Sequence, residues 1–143
     1  MKILATISAL VASSVAQSVL IRSPAPNETV SPNQTFVVEV DKPNSLSPSM
    51  DISVAIGMES CNAAGCEAVS QAQMLGNVLF AGGFDPVLKP GTGDLFQNFT
   101  VQVPATMPSG QAMLTVAHFY LLGAGANPAV ELANVTLNLQ NVQ

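Results

Sequence analysis

Apolar side chains return at every second position along much of this chain, a period that a β-strand satisfies and an α-helix does not. Phe36, Val38 and Val40 alternate with Thr35, Val37, Glu39 and Asp41. Ile52, Val54, Ile56 and Met58 alternate with Asp51, Ser53, Ala55 and Gly57. Leu95, Gln97, Phe99, Val101 and Val103 form a third face opposed by Phe96, Asn98, Thr100 and Gln102. Ala133, Val135, Leu137 and Leu139 form a fourth, opposed by Asn134, Thr136 and Asn138. Such segments read as strands buried on one side. Gln111 to Leu122 is more continuously apolar and suits a central strand, while Ser18 to Arg22 and Asn77 to Ala81 are shorter candidates.

Turn chemistry separates these runs. Ser23-Pro-Ala-Pro-Asn27, Asp41-Lys-Pro-Asn-Ser45, Lys89-Pro-Gly-Thr-Gly93 and Pro104-Ala-Thr-Met-Pro-Ser-Gly110 are clusters of residues that bend the backbone. Only Glu67 to Met74 suits a turn or so of helix. About seven strands with regular turn signals predict an all-β, immunoglobulin-like two-sheet β-sandwich. The inter-sheet cysteine pair and core Trp of antibody domains are absent, so the argument reaches the fold class and not the topology. The expected core is Phe36, Val38, Val40, Ile52, Val54, Ile56, Phe99, Val101, Val135 and Leu137.

The first residues carry a different signal. Met1-Lys2, an apolar run from Ile3 to Val15 and the small residues Ser14-Val15-Ala16 read as a secretory signal peptide over residues 1–16. The run is too short to span a bilayer, which takes about 20 apolar residues, so membrane insertion is not expected. A single domain over residues 17–143 follows, starting at Gln17. Four Asn-x-Ser/Thr triplets, at Asn27, Asn33, Asn98 and Asn134, read as N-glycosylation sites of an extracellular protein. Asn98 and Asn134 fall opposite the apolar faces and Asn27 and Asn33 flank the first turn, so glycans there would project into solvent.

Charged residues make up 9% of the chain, against about 25% in ordinary soluble domains. Glycans would supply the hydration that charges here do not. Without Lys2, the remaining Arg22, Lys42 and Lys89 face nine carboxylates, so the net charge moves from −5 to −6. Three basic residues cannot form the positive stripe that a phosphate backbone needs, which argues against nucleic acid and anionic membranes as partners.

Cys61 and Cys66, the two cysteines, stand in Cys61-Asn-Ala-Ala-Gly-Cys66. In a secreted chain they read as a disulfide closing a small loop, with Asn62 and Gly65 tolerating the tight turn. A redox or metal pair is the alternative, but no nearby His or further Cys completes a metal site. His118, the sole histidine, sits mid-strand in Thr115-Val-Ala-His-Phe-Tyr-Leu-Leu122. It reads as a packed strand residue, with a catalytic base or ligand as the alternative. A copper site built on an N-terminal histidine is excluded by Gln17, and no Gly-x-Ser-x-Gly elbow supports a hydrolase triad. Asp85 and Asp94 are the nearest to a glycosidase pair, yet both belong to ordinary turn sequences. The absence of Trp and the single Tyr120 weaken a lectin role, and Phe80, Phe84 and Phe96 read as core or sheet-face residues. No cofactor is expected.

Two segments carry a family resemblance: Leu75-Gly-Asn-Val-Leu-Phe-Ala-Gly-Gly-Phe-Asp-Pro86, and Gln97-Asn-Phe-Thr-Val-Gln-Val-Pro104 after it. Pro108 to Ala124 and Val130-Glu-Leu-Ala-Asn-Val-Thr-Leu137 extend it over most of the chain. Together they resemble the necrosis-inducing secreted protein family of fungal effectors. The Cys61–Cys66 loop is not part of that likeness. The resemblance implies a non-enzymatic effector that binds plant receptor-like kinases and associated cytoplasmic kinases, suppresses defence signalling or induces cell death, and works in the apoplast or the host cell. It transfers no binding residues. An alternative of another class is a wall-associated β-sandwich accessory protein, which the opening Ile21 to Phe36 resembles; a hydrolase with an unrecognised site is a third. The stretch from Glu59 to Asp94 is the least regular and holds no sequon. It is therefore the candidate partner-facing surface, against the plainer reading of an edge excursion with no partner.

Overall fold

A computed structural model describes residues 19–61 and 65–140. The signal segment 1–16, Gln17 and Asn62 of the cysteine loop lie outside the described residues. Among the described residues nine strands and one helix follow in order: β1 Leu20–Ser23, β2 Thr29–Val30, β3 Thr35–Lys42, β4 Ser49–Ser60, α1 Gly65–Ala72, β5 Asn77–Gly83, β6 Val87–Leu88, β7 Leu95–Gln102, β8 Gly110–Leu122 and β9 Asn127–Leu139. Seven of the strands have four residues or more, and β2 and β6 have two each.

The strands form two sheets, one ordered β1-β3-β7-β6 and the other β2-β9-β8-β4-β5. The chain enters on the four-stranded sheet with β1, then crosses so that β2 runs parallel to the end of β9. All other pairings are antiparallel. This strand order, with the first strand divided between the two sheets, is that of an immunoglobulin-type sandwich. The continuously apolar run lies at the centre as expected, because β8 is flanked by β4 and β9.

Inward-facing residues of both sheets meet in one core. Val38 and Val40 of β3, Phe99 and Val101 of β7, Val54, Ile56 and Met58 of β4, Leu114 and Val116 of β8, and Val135 and Leu137 of β9 are all buried in it. Burial of each such side chain contributes about 1.5–3 kcal/mol. Two of the ten expected core residues differ. Phe36 is half-buried and packs against the margin of the cluster. Ile52 is exposed at 48%, because a register shift between Asp51 and Ser53 leaves it without a partner on β8. A β-bulge reverses which residues face inward before it. Asp51 pairs with Tyr120 and so shares the inner side with His118, two residues back on β8.

β9 starts at Asn127, six residues ahead of the alternation read from Ala133. Pro128 and Glu131 hide its first half from a hydrophobic pattern. The helix is a full eight residues and lies outside the sandwich with no buried residue of its own.

Candidate functional site

Three constellations concentrate the chemistry of the described residues, and two of them are closed. At the first, His118 is only 1% exposed. Its Nδ1 lies 2.8 Å from Glu131 Oε1 of β9 and its Nε2 lies 3.0 Å from Asp51 Oδ1 of β4. The Asp51 contact is an ion-pair approach without hydrogen-bond alignment. Lys42 of the opposite sheet donates to both oxygens of Asp51 at 2.8 and 2.7 Å, and the Val19 amide donates to Glu131 Oε1 at 3.0 Å. The imidazole stacks on Tyr120 and meets Phe84 edge-on. Burial pushes its pKa down, but the two carboxylates outweigh burial and hold it above the ordinary 6.5. Asp51 is half-buried, which pushes its pKa up, yet His118 and Lys42 keep it below 3.8.

This arrangement suits an inter-sheet charge bridge, not a catalytic base. Both ring nitrogens already face carboxylates, and the ring has no open side. Sequence reading singled out His118 but missed Asp51, Glu131 and Lys42. Glu131 gave one signal: it is the charged residue on the inner face of β9, opposite His118.

The second constellation lies on the outer face of the four-stranded sheet. Asp41, 2% exposed, accepts from Arg22 Nε at 3.0 Å and Lys89 Nζ at 2.9 Å; Lys89 also donates to Glu39 and caps the Phe96 ring. Burial raises the Asp41 pKa, but Lys89 and Arg22 outweigh it and leave it lowered. The expected candidates elsewhere are structural. Asp94 Oδ1 accepts the Asn44 amide, Asp85 is exposed, Phe84 is core, and Phe80 packs on Phe99. Among the described residues no group of His, Cys, Asp and Glu is arranged to hold a metal ion, and no helix is long and apolar enough to cross a membrane.

The third constellation is open. Cys61, the residue after β4, is disulfide-bonded to Cys66 with Cα atoms 4.5 Å apart, so the bond ties the end of the strand to the first turn of α1. The helix then lies over β8 on the outer face of the five-stranded sheet, where it hides Met113 and Thr115. The return from α1 to β5 presses onto β4. A Cβ on Gly57 would collide with the Leu75 carbonyl, and Gly76, at φ 66°, rests against Glu59. Both positions need glycine for this close approach.

On either flank of the helix the surface differs. Toward β9, Asn134 Nδ2 donates to Ser70 Oγ at 2.8 Å, so one sequon borders the helix in space although none occurs between Glu59 and Asp94 in sequence. Toward β4, Glu59, Ala68, Val69, Ala72 and Met74 line a hollow of about 230 Å³. Beyond the helix, an apolar groove of about 450 Å³ runs over Leu75, Ala117, Phe119, Val130 and Leu132. All four sequon asparagines are exposed, Asn27 and Asn33 in turns with positive φ.

Fold and surface together define a small immunoglobulin-type β-sandwich with a disulfide-stapled outer helix and its titratable clusters locked into the framework. The chain belongs to the Nis1 family, whose sequence profile matches residues 16–138. It is also 29% identical over 117 residues to a protein of Colletotrichum higginsianum (strain IMI 349063) named Necrosis-inducing secreted protein 1, an alignment covering 80% of this chain and 74% of that protein.

Proposed function

We propose that this chain is a secreted, non-enzymatic effector that acts by binding proteins of a plant host. The observation that carries this reading is its similarity to a relative named as a necrosis-inducing secreted protein. The surface supports it: the outer face around α1 offers apolar grooves, while His118 is buried between carboxylates. In this reading residues 1–16 are removed on secretion, and Asn27, Asn33, Asn98 and Asn134 carry glycans in the extracellular space. The partners are receptor-like kinases of immune signalling and their associated cytoplasmic kinases, the class implied by the family, and the outcome is weakened defence or cell death. Co-purification of the tagged, secreted protein from plant tissue tests this. Recovery of a receptor-associated kinase is expected; its absence, with a working positive control, would overturn the assignment of partner class.

A further inference from the structure

We propose that the hollow between α1 and β4 is a receptor for a long basic side chain, lysine or arginine, presented by a partner protein. This deepens the partner-binding reading above and rests on it for its biological role, though not for its chemistry.

The hollow combines two features that together select such a group. Its walls are the apolar side chains of Ala68, Val69, Ala72 and Met74, with Met74 61% exposed. At its edge stands the half-buried Glu59, whose carboxylate makes no hydrogen bond and no ion pair among the described residues. An unpaired carboxylate beside an aliphatic wall is matched by a side chain with an aliphatic stem and a cationic head. The stem covers methyl and thioether groups while the head meets the carboxylate. A neutral apolar group would cover the wall and leave Glu59 partly desolvated without a partner, which costs free energy.

The remaining charges show where that cation must originate. Lys42 is held by Asp51, Lys89 by Glu39 and Asp41, and Arg22 by Asp41. Among the described residues each basic side chain is thus already paired within the chain, Arg22 through its Nε, which favours a different protein over a second copy as the source of the cation. The net charge, −5 for the full chain and −6 without Lys2, also favours encounter with a basic surface. The Asn134 sequon lies on the opposite, β9 flank of the helix, so a glycan there leaves the β4 flank accessible.

The test uses the secreted full chain, isotope-labelled, titrated with Nα-acetyl-arginine methylamide, Nα-acetyl-lysine methylamide and the uncharged Nα-acetyl-norleucine methylamide. NMR methyl shifts of Ala68, Val69, Ala72 and Met74 are read. Either basic probe is expected to move these signals saturably, with norleucine much weaker. Glu59→Gln should weaken the basic probe by about threefold to tenfold, the range of a partly exposed to a better-desolvated charge pair. Glu67→Gln, on the exposed first turn of the same helix, should change nothing. An equal response to norleucine, an undiminished response in Glu59→Gln, or no response to either basic probe would each overturn the proposal. Those outcomes leave kinase recovery from plant tissue untouched, and failure of that recovery leaves this titration untouched, so the two readings can fail separately.

Discussion

His118 shows how one buried residue sets the pH range over which this domain is stable. Its folded pKa lies above 6.5 because Asp51 and Glu131 outweigh the cost of burial, so the native state holds the proton more tightly than the unfolded chain does. The stabilisation is complete below 6.5 and is lost as the pH rises through the folded value. Asp51 works in the other sense. Its folded pKa lies below 3.8, so its contribution is complete above 3.8 and is lost as the pH falls through the folded value. Urea unfolding midpoints should therefore be highest between these limits and decline on both sides. His118→Gln should destabilise by about 3 kcal/mol, the scale of breaking a buried pair from one side, and should flatten the alkaline decline. A wild-type protein whose midpoint stays level at alkaline pH would show that the imidazolium is not what joins the two carboxylates. The histidine was visible in the sequence, but its partners were not. Asp51 and Glu131 stand 67 and 13 residues away from it, and the bulge at Ile52 brings Asp51 to the inner side.

At the scale of elements, alternation and apolar runs together located every strand of four residues or more, and the alternation failed where the backbone departs from a strict period of two. Ile52 is the instance on β4. Ile52→Thr should alter stability by no more than about 0.5 kcal/mol, as at an ordinary surface position. Ile56→Ala, on the same strand but fully buried, should cost about 2–5 kcal/mol. Comparable losses from both substitutions in chemical denaturation would mean that the bulge is misplaced. The first half of β9 was hidden for a related reason, since Glu131 occupies an inner position that only a buried counter-charge can justify. The staple between β4 and α1 yields a further expectation. Cys61 and Cys66 are five residues apart, so the loop is short and the bond should contribute about 2 kcal/mol through the unfolded chain. The Cys61→Ser, Cys66→Ser double variant should be secreted and folded, with faster hydrogen exchange confined to α1 and the end of β4. Complete loss of secretion would show that the bond does more than hold the helix to its strand.

For the whole molecule, solubility is the property that composition makes uncertain. Charged residues are 9% of the chain, and Val37, Leu46, Met50, Val78, Val87, Leu88 and Val130 stand exposed among others. In the proposed secreted form, glycans at the four exposed asparagines offset this by hydration. Enzymatic deglycosylation of folded protein should leave its secondary structure intact while lowering its solubility limit, measured by light scattering against concentration. Unchanged solubility would remove the glycans from that role. The fold class was legible in the sequence because strand period and turn chemistry are local properties. The candidate surface was legible only as a stretch, Glu59 to Asp94; its division into a helix, an edge strand and a crossover to the other sheet depends on contacts that no local pattern records. One crossing has a mechanical consequence. β2 runs parallel to the end of β9, and around it the backbone bonds Asn27 N to Thr136 O, Asn138 N to Glu28 O and Gln140 N to Val30 O join the first part of the domain to its last strand. Tension applied to the two ends of the domain draws these strands in opposite directions along their length. The bonds are then loaded in shear and must yield together, so the domain resists stretching as a clasp does, and not as a zip opened one tooth at a time.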